Sequence, residues 1–325
     1  MESEGPRHFV FVLLDRFSLI SFAGAVDVLR LANHMAERPL YRWTLVGDGG
    51  ETVQCSAGLE MRLAGDLPET ARDDTIVLVS GIEVREITSK RLMSWLRREA
   101  RRGASVAGLC TASHVMAEAG LLDGKRATIH WENHDSMIEA FPEVELTKSI
   151  FTIDGKQMTS AGGTSSVDLF LKLLANDQGE EFASLVADQL IYSSIRTDQD
   201  SQRLSIPTRI GVRHPRLSSV IKRMEENIEE PISPASLARD VGMSTRQLER
   251  LFRRYLNRSP KRYYMELRLG KARNLLMQTD MSIINVALAC GFTSPSHFSK
   301  CYRAQYGTTP YRERGTQAAR EVREV

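Results

Sequence analysis

The last third of the chain repeats one pattern. Its first copy is Leu237-Ala-Arg-Asp-Val-Gly-Met-Ser-Thr-Arg-Gln-Leu-Glu-Arg-Leu-Phe-Arg-Arg-Tyr255, and its second is Val286-Ala-Leu-Ala-Cys-Gly-Phe-Thr-Ser-Pro-Ser-His-Phe-Ser-Lys-Cys-Tyr-Arg303. In each copy a small alanine lies four residues before a glycine, and hydroxyl side chains and an amphipathic stretch follow. Two helices that cross through a tight turn need a small side chain where they touch and a glycine where the backbone bends. The repeat therefore predicts two helix-turn-helix units.

The second helix of each predicted unit has one apolar face and one polar face. In the first copy, Ser244 and Gln247 have the spacing of a capping box. The apolar stripe of that helix follows at helical spacing: Leu248, Leu251, Phe252 and Tyr255. In the second copy, Phe298 and Tyr302 are the corresponding pair. A helix with a polar outward face of this kind fits the major groove of DNA, where Arg reads guanine through two hydrogen bonds.

The distribution of charge agrees with this interpretation. The net charge of the 325 residues is only +2, but residues 214–325 hold 20 Lys and Arg against 11 Asp and Glu, whereas residues 1–213 hold 23 against 30. A basic domain is typical of a nucleic-acid face, and a merely solvated basic surface is the alternative. A helical repeat that does not bind DNA is the alternative for the two units themselves.

At these residues the sequence resembles the DNA-binding domain of AraC/XylS-type regulators. The resemblance covers Leu217 to Arg314 and includes the ending Gly307-Thr-Thr-Pro-Tyr-Arg312. It implies two recognition helices, joined by a long helix over Arg262–Gln278, that enter adjacent major grooves. The base-reading positions that it implies are Arg246, Glu249 and Arg250 in the first unit and Ser296, Ser299 and Lys300 in the second. The candidates for phosphate contacts are Lys261, Arg262, Lys271 and Arg303.

The first part of the chain alternates strand-like and helix-like segments. The predicted strands are His8–Leu14, Tyr41–Val46, Thr75–Val79 and Ala104–Ala107, with a hairpin of Phe151–Ile153 and Gln157–Thr159. The predicted helices are Ser18–Met35, Ser89–Arg102, Ser165–Leu174 and Glu180–Tyr192. This alternation predicts an α/β fold, a flavodoxin-like parallel sheet with helices on both faces, followed by the all-α domain.

A cysteine follows one of the predicted strands at a sharp turn. The stretch Val106-Ala-Gly-Leu-Cys-Thr-Ala-Ser113 runs from a strand through Cys110 into a helix, and His130 follows at the end of another predicted strand. Backbone N–H groups at such an elbow bind anionic oxygens and are expected to lower the pKa of the thiol. Two interpretations stay open, which are a nucleophile with its base and a binding pocket with an inert thiol.

From His8 to Tyr192 the sequence resembles the class I glutamine-amidotransferase-like proteins that include the PfpI proteases. Cys110 falls on that family's elbow cysteine and His130 on a recurrent histidine, but Ser21 replaces the glutamate that often contacts the cysteine. The two resemblances together match the GlxA-like AraC-family regulators, in which this domain is a sensor of small nitrogenous metabolites such as betaine, carnitine or amino acids. Trp131 is suited to stack on a quaternary ammonium and Glu132 to oppose its charge, and a buried core position for Trp131 is the alternative. The implied ligand-binding residues are Cys110, Thr111, His130, Trp131, Glu132 and Ser21.

The sequence thus predicts a ligand-sensing domain at 1–195, a polar linker at 196–215 and a DNA-binding domain at 216–325, whose tail from Gly315 onward is loose. We expect a DNA-binding transcription regulator, an activator by family habit, and not an enzyme. We expect it to be cytoplasmic, because no apolar run is long enough to span a membrane and no signal peptide begins the chain.

Its expected partners are double-stranded DNA, a small-molecule effector, RNA polymerase and a second copy in a homodimer. No cofactor or metal is expected, and the four cysteines are expected to be free thiols. The rival hypotheses are a cysteine-dependent hydrolase or amidase fused to a DNA-binding module, and an architectural DNA binder without a ligand.

Overall fold

The computed structural model describes residues 5–85, 87–203 and 205–321. The chain divides into two compact units, and the division falls between Gln202 and Arg203. Each unit has its own hydrophobic core.

The first unit is built on one sheet with helices around it. Its strands are β1 (Arg7–Leu13), β2 (Tyr41–Gly47), β3 (Thr52–Gln54), β4 (Glu60–Arg62), β5 (Gly65–Asp66), β6 (Thr75–Val79), β7 (Ser105–Leu109), β8 (Arg126–Ala127), β9 (Glu145–Leu146), β10 (Phe151–Asp154) and β11 (Gln157–Ser160). Its helices are α1 (Leu19–Met35), α2 (Lys90–Arg102), α3 (Ala112–Glu118), α4 (His134–Ala140), α5 (Ser165–Gln178) and α6 (Glu180–Gln189).

The main sheet has seven strands in the order β10-β11-β7-β6-β1-β2-β5. All neighbouring pairs are parallel except the hairpin of β10 and β11. Alternate residues of β1 enter two different cores: Phe9 and Phe11 pack with α1 and α5, whereas Val10 and Val12 pack with α2 and α3. A strand covered on both faces buries side chains on both sides, which explains why residues 9–13 of β1 are all apolar and buried. The predicted flavodoxin-like sheet with helices on both faces is confirmed.

The second unit contains only helices in its described residues. They are α7 (Ile206–Ile210), α8 (Pro215–Glu226), α9 (Pro234–Asp240), α10 (Thr245–Leu256), α11 (Pro260–Gln278), α12 (Ile283–Ala289), α13 (Pro295–Tyr306) and α14 (Pro310–Glu321). One apolar cluster joins α8, α9 and α10, and another joins α11, α12 and α13. The two predicted helix-turn-helix units are α9–α10 and α12–α13, and α11 connects them.

Three local expectations were wrong. His130 does not end a strand, because β8 is only two residues long and a 3-10 turn over Trp131–Asn133 begins directly after His130. The tail expected to be loose continues helix α14 to Glu321, and its last four residues lie outside the described part of the chain. The segment 196–215 is more ordered than its polar sequence indicates, since residues 196–202 form hydrogen bonds within the first unit and Ile206–Ile210 form α7. No helix in the described ranges is long and apolar enough to cross a bilayer.

Candidate functional site

Helix α10 has a capped N-terminus, a buried apolar face and a polar face that is exposed to solvent. The Ser244 side chain accepts a hydrogen bond from the Gln247 backbone at 3.2 Å, and the Gln247 side chain accepts one from the Ser244 backbone at 2.8 Å. Leu248 and Phe252 are fully buried beneath the helix. The three predicted base readers of this unit are all exposed: Arg246, Glu249 and Arg250. The capping box and the buried stripe together fix which side of α10 faces solvent.

Helix α13 is built in the same way. Pro295 is its first residue, and the Ser294 side chain accepts a hydrogen bond from the His297 backbone at 3.3 Å. A proline is suited to this position, because the first N–H of a helix has no intrahelical partner. Phe298 and Tyr302 are fully buried, as predicted. Of the predicted base readers, Ser296 and Lys300 are exposed and Ser299 is half-buried.

The two turn glycines differ in how strictly they are required. Gly242 has φ +65° and Gly291 has φ +72°, which is the left-handed region that residues with a Cβ avoid. A Cβ on Gly242 would meet open space, whereas a Cβ on Gly291 would lie 2.6 Å from the Ile228 carbonyl oxygen and 2.7 Å from that of Glu229. The second turn is therefore closed by a backbone contact that excludes any side chain.

Arg268, which was not predicted, links α11 to the turn between α12 and α13. Its Nε donates to the Cys290 carbonyl at 2.8 Å and its Nη2 to the Gly291 carbonyl at 2.7 Å. Its guanidinium also lies 4.1 Å from the centre of the Phe292 ring. The sequence signal that could have revealed Arg268 is its position on α11: it lies four residues before the fully buried Ala272 and so on the same inward face. Arginine in an inward register indicates an internal partner rather than a phosphate.

The predicted phosphate contacts are less uniform than the base readers. Lys261, Arg262 and Arg303 are exposed, but Lys271 is half-buried. Arg262 also pairs with Glu266 at 3.1 Å. An exposed ion pair contributes at most about 1 kcal/mol, so Arg262 can exchange this partner for a phosphate.

Cys110 lies at a strained elbow directly after β7. Its φ is +65°, which is unusual for a residue with a side chain, and its N–H donates to the Ser160 carbonyl at 2.9 Å. A Cβ on Gly162 would lie 2.6 Å from the Cβ of Cys110 and 2.8 Å from its Sγ. Glycine is therefore required opposite the thiol. The His130 backbone N–H donates to the Cys110 carbonyl at 3.4 Å, so a third segment also reaches the elbow.

The thiol of Cys110 is not activated. Burial raises its pKa to about 11, and the negative charge of Glu132 acts in the same direction, while a backbone hydrogen bond from Thr111 only partly lowers it. The expectation that the elbow lowers this pKa was wrong, because loss of hydration outweighs the backbone N–H group. No hydrogen bond joins the Cys110 thiol to the His130 ring in this described region. Cys110 is a neutral thiol at physiological pH.

Two of the predicted ligand residues direct their hydroxyl groups into the protein. Thr111 Oγ1 donates to the Gly81 carbonyl at 2.6 Å and lies 2.6 Å from Ser80 Oγ. Ser21 is fully buried and its Oγ accepts a hydrogen bond from the Gly163 backbone at 2.8 Å. Ser21 therefore positions the glycine loop that faces Cys110, and Thr111 ties the elbow to the end of β6.

His130, Trp131 and Glu132 form a more open rim beside the elbow. Burial lowers the pKa of His130 and Glu132 partly opposes this, with 3.8 Å between His130 Nδ1 and a Glu132 carboxylate oxygen. Trp131 is 41% exposed, so it is not a core residue, and the His130 and Trp131 ring centres are 5.7 Å apart. The rim thus offers an aromatic face, an imidazole and a carboxylate to solvent.

A separate cleft of about 680 Å³ opens at the carboxyl ends of β1 and β2. Its polar lining includes Asp15, Asp48, Glu60 and Ser89. None of the six predicted ligand residues lines this cleft. The sequence offered no motif for it, because its walls come from loops and from the short hairpin β3–β4. No group of three potential metal ligands was found among the residues that the structure describes.

Comparison with known proteins agrees with both halves of the chain. A family model described as a helix-turn-helix domain matches residues 237–315, and the DJ-1/PfpI family model matches residues 7–176. The HTH-type transcriptional regulator CdhR of Pseudomonas aeruginosa is 44% identical over 308 residues, which are 95% of this chain and 91% of that protein. The chain belongs to the AraC-type transcriptional regulators with a DJ-1/PfpI domain.

Two further similarities support this assignment of the regulator. The HTH-type transcriptional regulator GbdR of Pseudomonas aeruginosa is 42% identical over 316 residues, covering 97% of this chain and 86% of that protein. The crystal structure of an AraC family transcriptional regulator from Pseudomonas putida aligns with 28% identity and a TM-score of 0.53, over 57% of this chain and 100% of that one. CdhR and GbdR are both named as transcriptional regulators, which confirms the expectation of a DNA-binding regulator rather than an enzyme.

Proposed function

We propose that the regulator reads a two-part DNA site with α10 and α13 and that a small nitrogenous metabolite bound at the Cys110 rim controls this binding. The observation that carries the DNA part is the pair of capped helices, each buried on one face and polar on the other. The exposed side chains that can reach base edges are Arg246, Glu249 and Arg250 on α10 and Ser296 and Lys300 on α13. Each such helix supplies readers for one major groove.

A selection experiment tests the DNA part. The purified full chain is incubated with a pool of random-sequence duplexes in dilute salt, and bound DNA is recovered and sequenced. Two conserved stretches with a fixed spacing of about one helical turn are expected. If no sequence is enriched over several rounds, sequence-specific reading by these helices is contradicted.

The chemistry of the rim supports a cationic effector. An exposed indole attracts a quaternary ammonium through its ring face, and a carboxylate beside it adds charge attraction. Trp131 and Glu132 provide these two groups next to each other, and His130 provides a hydrogen-bonding ring. A betaine, carnitine or an amino acid combines such a cation with a carboxylate. Residues 1–195 would then be the sensing domain, and residues 216–325 the DNA-binding domain.

The effector is found by thermal shift on the full chain. Glycine betaine, carnitine and L-arginine are the first probes, because a ligand that binds only the folded state stabilises it by about 2.7 kcal/mol at a hundred times its Kd. Trp131→Ala should abolish the shift and Trp131→Phe should keep part of it. Tyr311→Ala, which changes an exposed aromatic residue of the other unit, is the control. A shift abolished by Asp48→Asn but not by Trp131→Ala would assign the effector to the β1–β2 cleft instead.

The resemblance to AraC-type regulators supports three further properties. The regulator would lie in the cytoplasm, form a homodimer and activate transcription by contacting RNA polymerase. A fusion of its target promoter to a reporter tests activation, since deletion of the gene should lower expression. Higher expression after deletion would identify a repressor.

A further inference from the structure

The segment Arg196–Gln202, here called the strap, leaves the first unit only after bonding to it at two places. At its first end, Arg196 lies on the carboxylate of Asp168, which is fully buried. The Arg196 backbone N–H donates to Asp168 Oδ1 at 2.9 Å, and its Nε and Nη2 donate to Oδ2 at 3.0 and 2.6 Å. The same Nη2 reaches Thr164 Oγ1 at 2.8 Å. The buried Asp168 carboxylate needs these hydrogen bonds, because an unpaired buried charge is strongly unfavourable.

At its second end, the strap is fixed by the side chain of Gln202 and by backbone hydrogen bonds, one of them from the Gln202 N–H to the Lys148 carbonyl at 3.4 Å. Gln202 Nε2 donates to Thr128 Oγ1 at 2.9 Å, to the Ile129 carbonyl at 2.9 Å and to the Ser149 carbonyl at 3.0 Å. The strap backbone adds a bond from the Ile150 N–H to the Asp200 carbonyl at 3.1 Å. Gln202 is the last residue of the first unit, and Arg203 begins the second.

Each end of the strap, here called an anchor, is bonded to a segment that also contacts Cys110. Ile129, which accepts from Gln202, precedes His130, whose N–H bonds the Cys110 carbonyl. Thr164, which accepts from Arg196, follows the glycine pair of which Gly162 touches the thiol. A shift in either segment therefore changes both the elbow and the strap. The chain then continues into the DNA-binding unit with no further residue between.

We infer that the strap is the coupling element of the regulator, through which the state of the Cys110 site alters the DNA-binding unit. This inference rests on the proposed function, and it names the regulation of that same site. The coupled groups are Gln202 at one anchor and Arg196 with Asp168 at the other. Because energetic coupling is reciprocal, loosening the strap must also loosen the site. This reciprocity permits a test without knowledge of the effector.

The test compares two identical changes on the same segment of the full chain. Gln202→Glu keeps the size of the side chain but removes the N–H donors from three acceptors. Gln199→Glu makes the same change at an exposed residue whose side chain bonds only Asp198 within the strap. Amide hydrogen exchange is followed by mass spectrometry in peptides that cover His130–Asn133 and Gly162–Thr164. Gln202→Ala, which introduces no charge, and Thr164→Val at the first anchor are the supporting variants.

The coupling predicts that exchange in both peptides becomes on the order of tenfold faster in Gln202→Glu and Gln202→Ala, and unchanged in Gln199→Glu. Affinity for the duplex selected by the wild-type chain should also change in the Gln202 variants alone. Wild-type exchange at both peptides in every Gln202 variant would overturn the inference, and so would equal effects of the two Gln→Glu changes. Failure of the wild-type chain to select any duplex would instead contradict the proposed function, and the exchange comparison would still decide whether the strap is coupled to the Cys110 site.

Discussion

At the scale of single residues, the site is defined by what burial does to ionisable groups. Cys110 has the position of a nucleophile, yet its thiol is buried against Gly162 and next to the negative charge of Glu132. The family resemblance assigns an elbow cysteine to this position, and the structure has Cys110 at a left-handed turn directly after β7. The sequence did not reveal its state, because desolvation depends on how closely a distant loop packs on the sulfur.

Cys110 should react slowly with alkylating agents. A thiol with a pKa of about 11 is almost entirely protonated at pH 7, and the thiolate is the reactive form. Because burial raises the folded-state pKa above that of the unfolded chain, folding stability from this group is complete below the ordinary thiol pKa. It is lost as the pH rises towards about 11. Iodoacetamide labelling of the native chain, read by mass spectrometry, should therefore increase steeply between pH 8 and pH 11. Rapid labelling of Cys110 at pH 7 would show an activated thiol and would restore the hydrolase hypothesis.

Arg250 and Lys261 should contribute to DNA binding in different ways. Arg250→Ala is expected to cost about 1–3 kcal/mol on the selected duplex and to relax base preference, because it removes base hydrogen bonds. Lys261→Ala should weaken binding to all duplexes alike and reduce the salt dependence by about one phosphate contact. Mobility-shift titrations on selected and random duplexes at several salt concentrations measure both. An equal loss on the two duplexes for Arg250→Ala would remove it from the base readers.

At the scale of elements, the repeat was predictable because local signals agree with the tertiary structure. The capping box at Ser244 and the inward pair Phe298 and Tyr302 lie where the sequence predicts. Elements without periodicity were missed, including the hairpin β3–β4 and the short helix α4. His130 was expected to end a strand, but β8 ends at Ala127 and the Thr128 N–H donates to the Thr159 side chain.

The two turn glycines allow a matched test at this scale. Gly242→Ala should lower the stability of the second unit by roughly 1–2 kcal/mol, which is the cost of a left-handed backbone for alanine. Gly291→Ala should cost several times more, since its Cβ would also overlap two carbonyl oxygens. The three tryptophans all lie before residue 203, so their fluorescence follows the first unit, while circular dichroism follows both. Urea unfolding should show the loss in circular dichroism and leave the tryptophan transition unchanged. Equal losses for the two variants would contradict the close contact at Gly291.

At the scale of the whole molecule, the sequence indicated two units of opposite charge joined by a polar segment. The prediction that residues 196–215 are only a linker was wrong. Polar residues are typical of linkers, but Arg196 bonds the buried Asp168 carboxylate, and Gln202 bonds the backbone carbonyls of Ile129 and Ser149 in the first unit. Such long-range partners leave no local signal. The same holds for the β1–β2 cleft, whose walls are distant in sequence.

The central claim is that α10 and α13 read different parts of one DNA site. It is tested most directly by repeating the selection from random duplexes with full-length Arg250→Ala and Lys300→Ala chains beside the wild type. The account predicts that each variant loses base preference in a different stretch, and that the two stretches are about one helical turn apart. Loss of preference in the same stretch for both variants, or an unchanged motif in both, would contradict it.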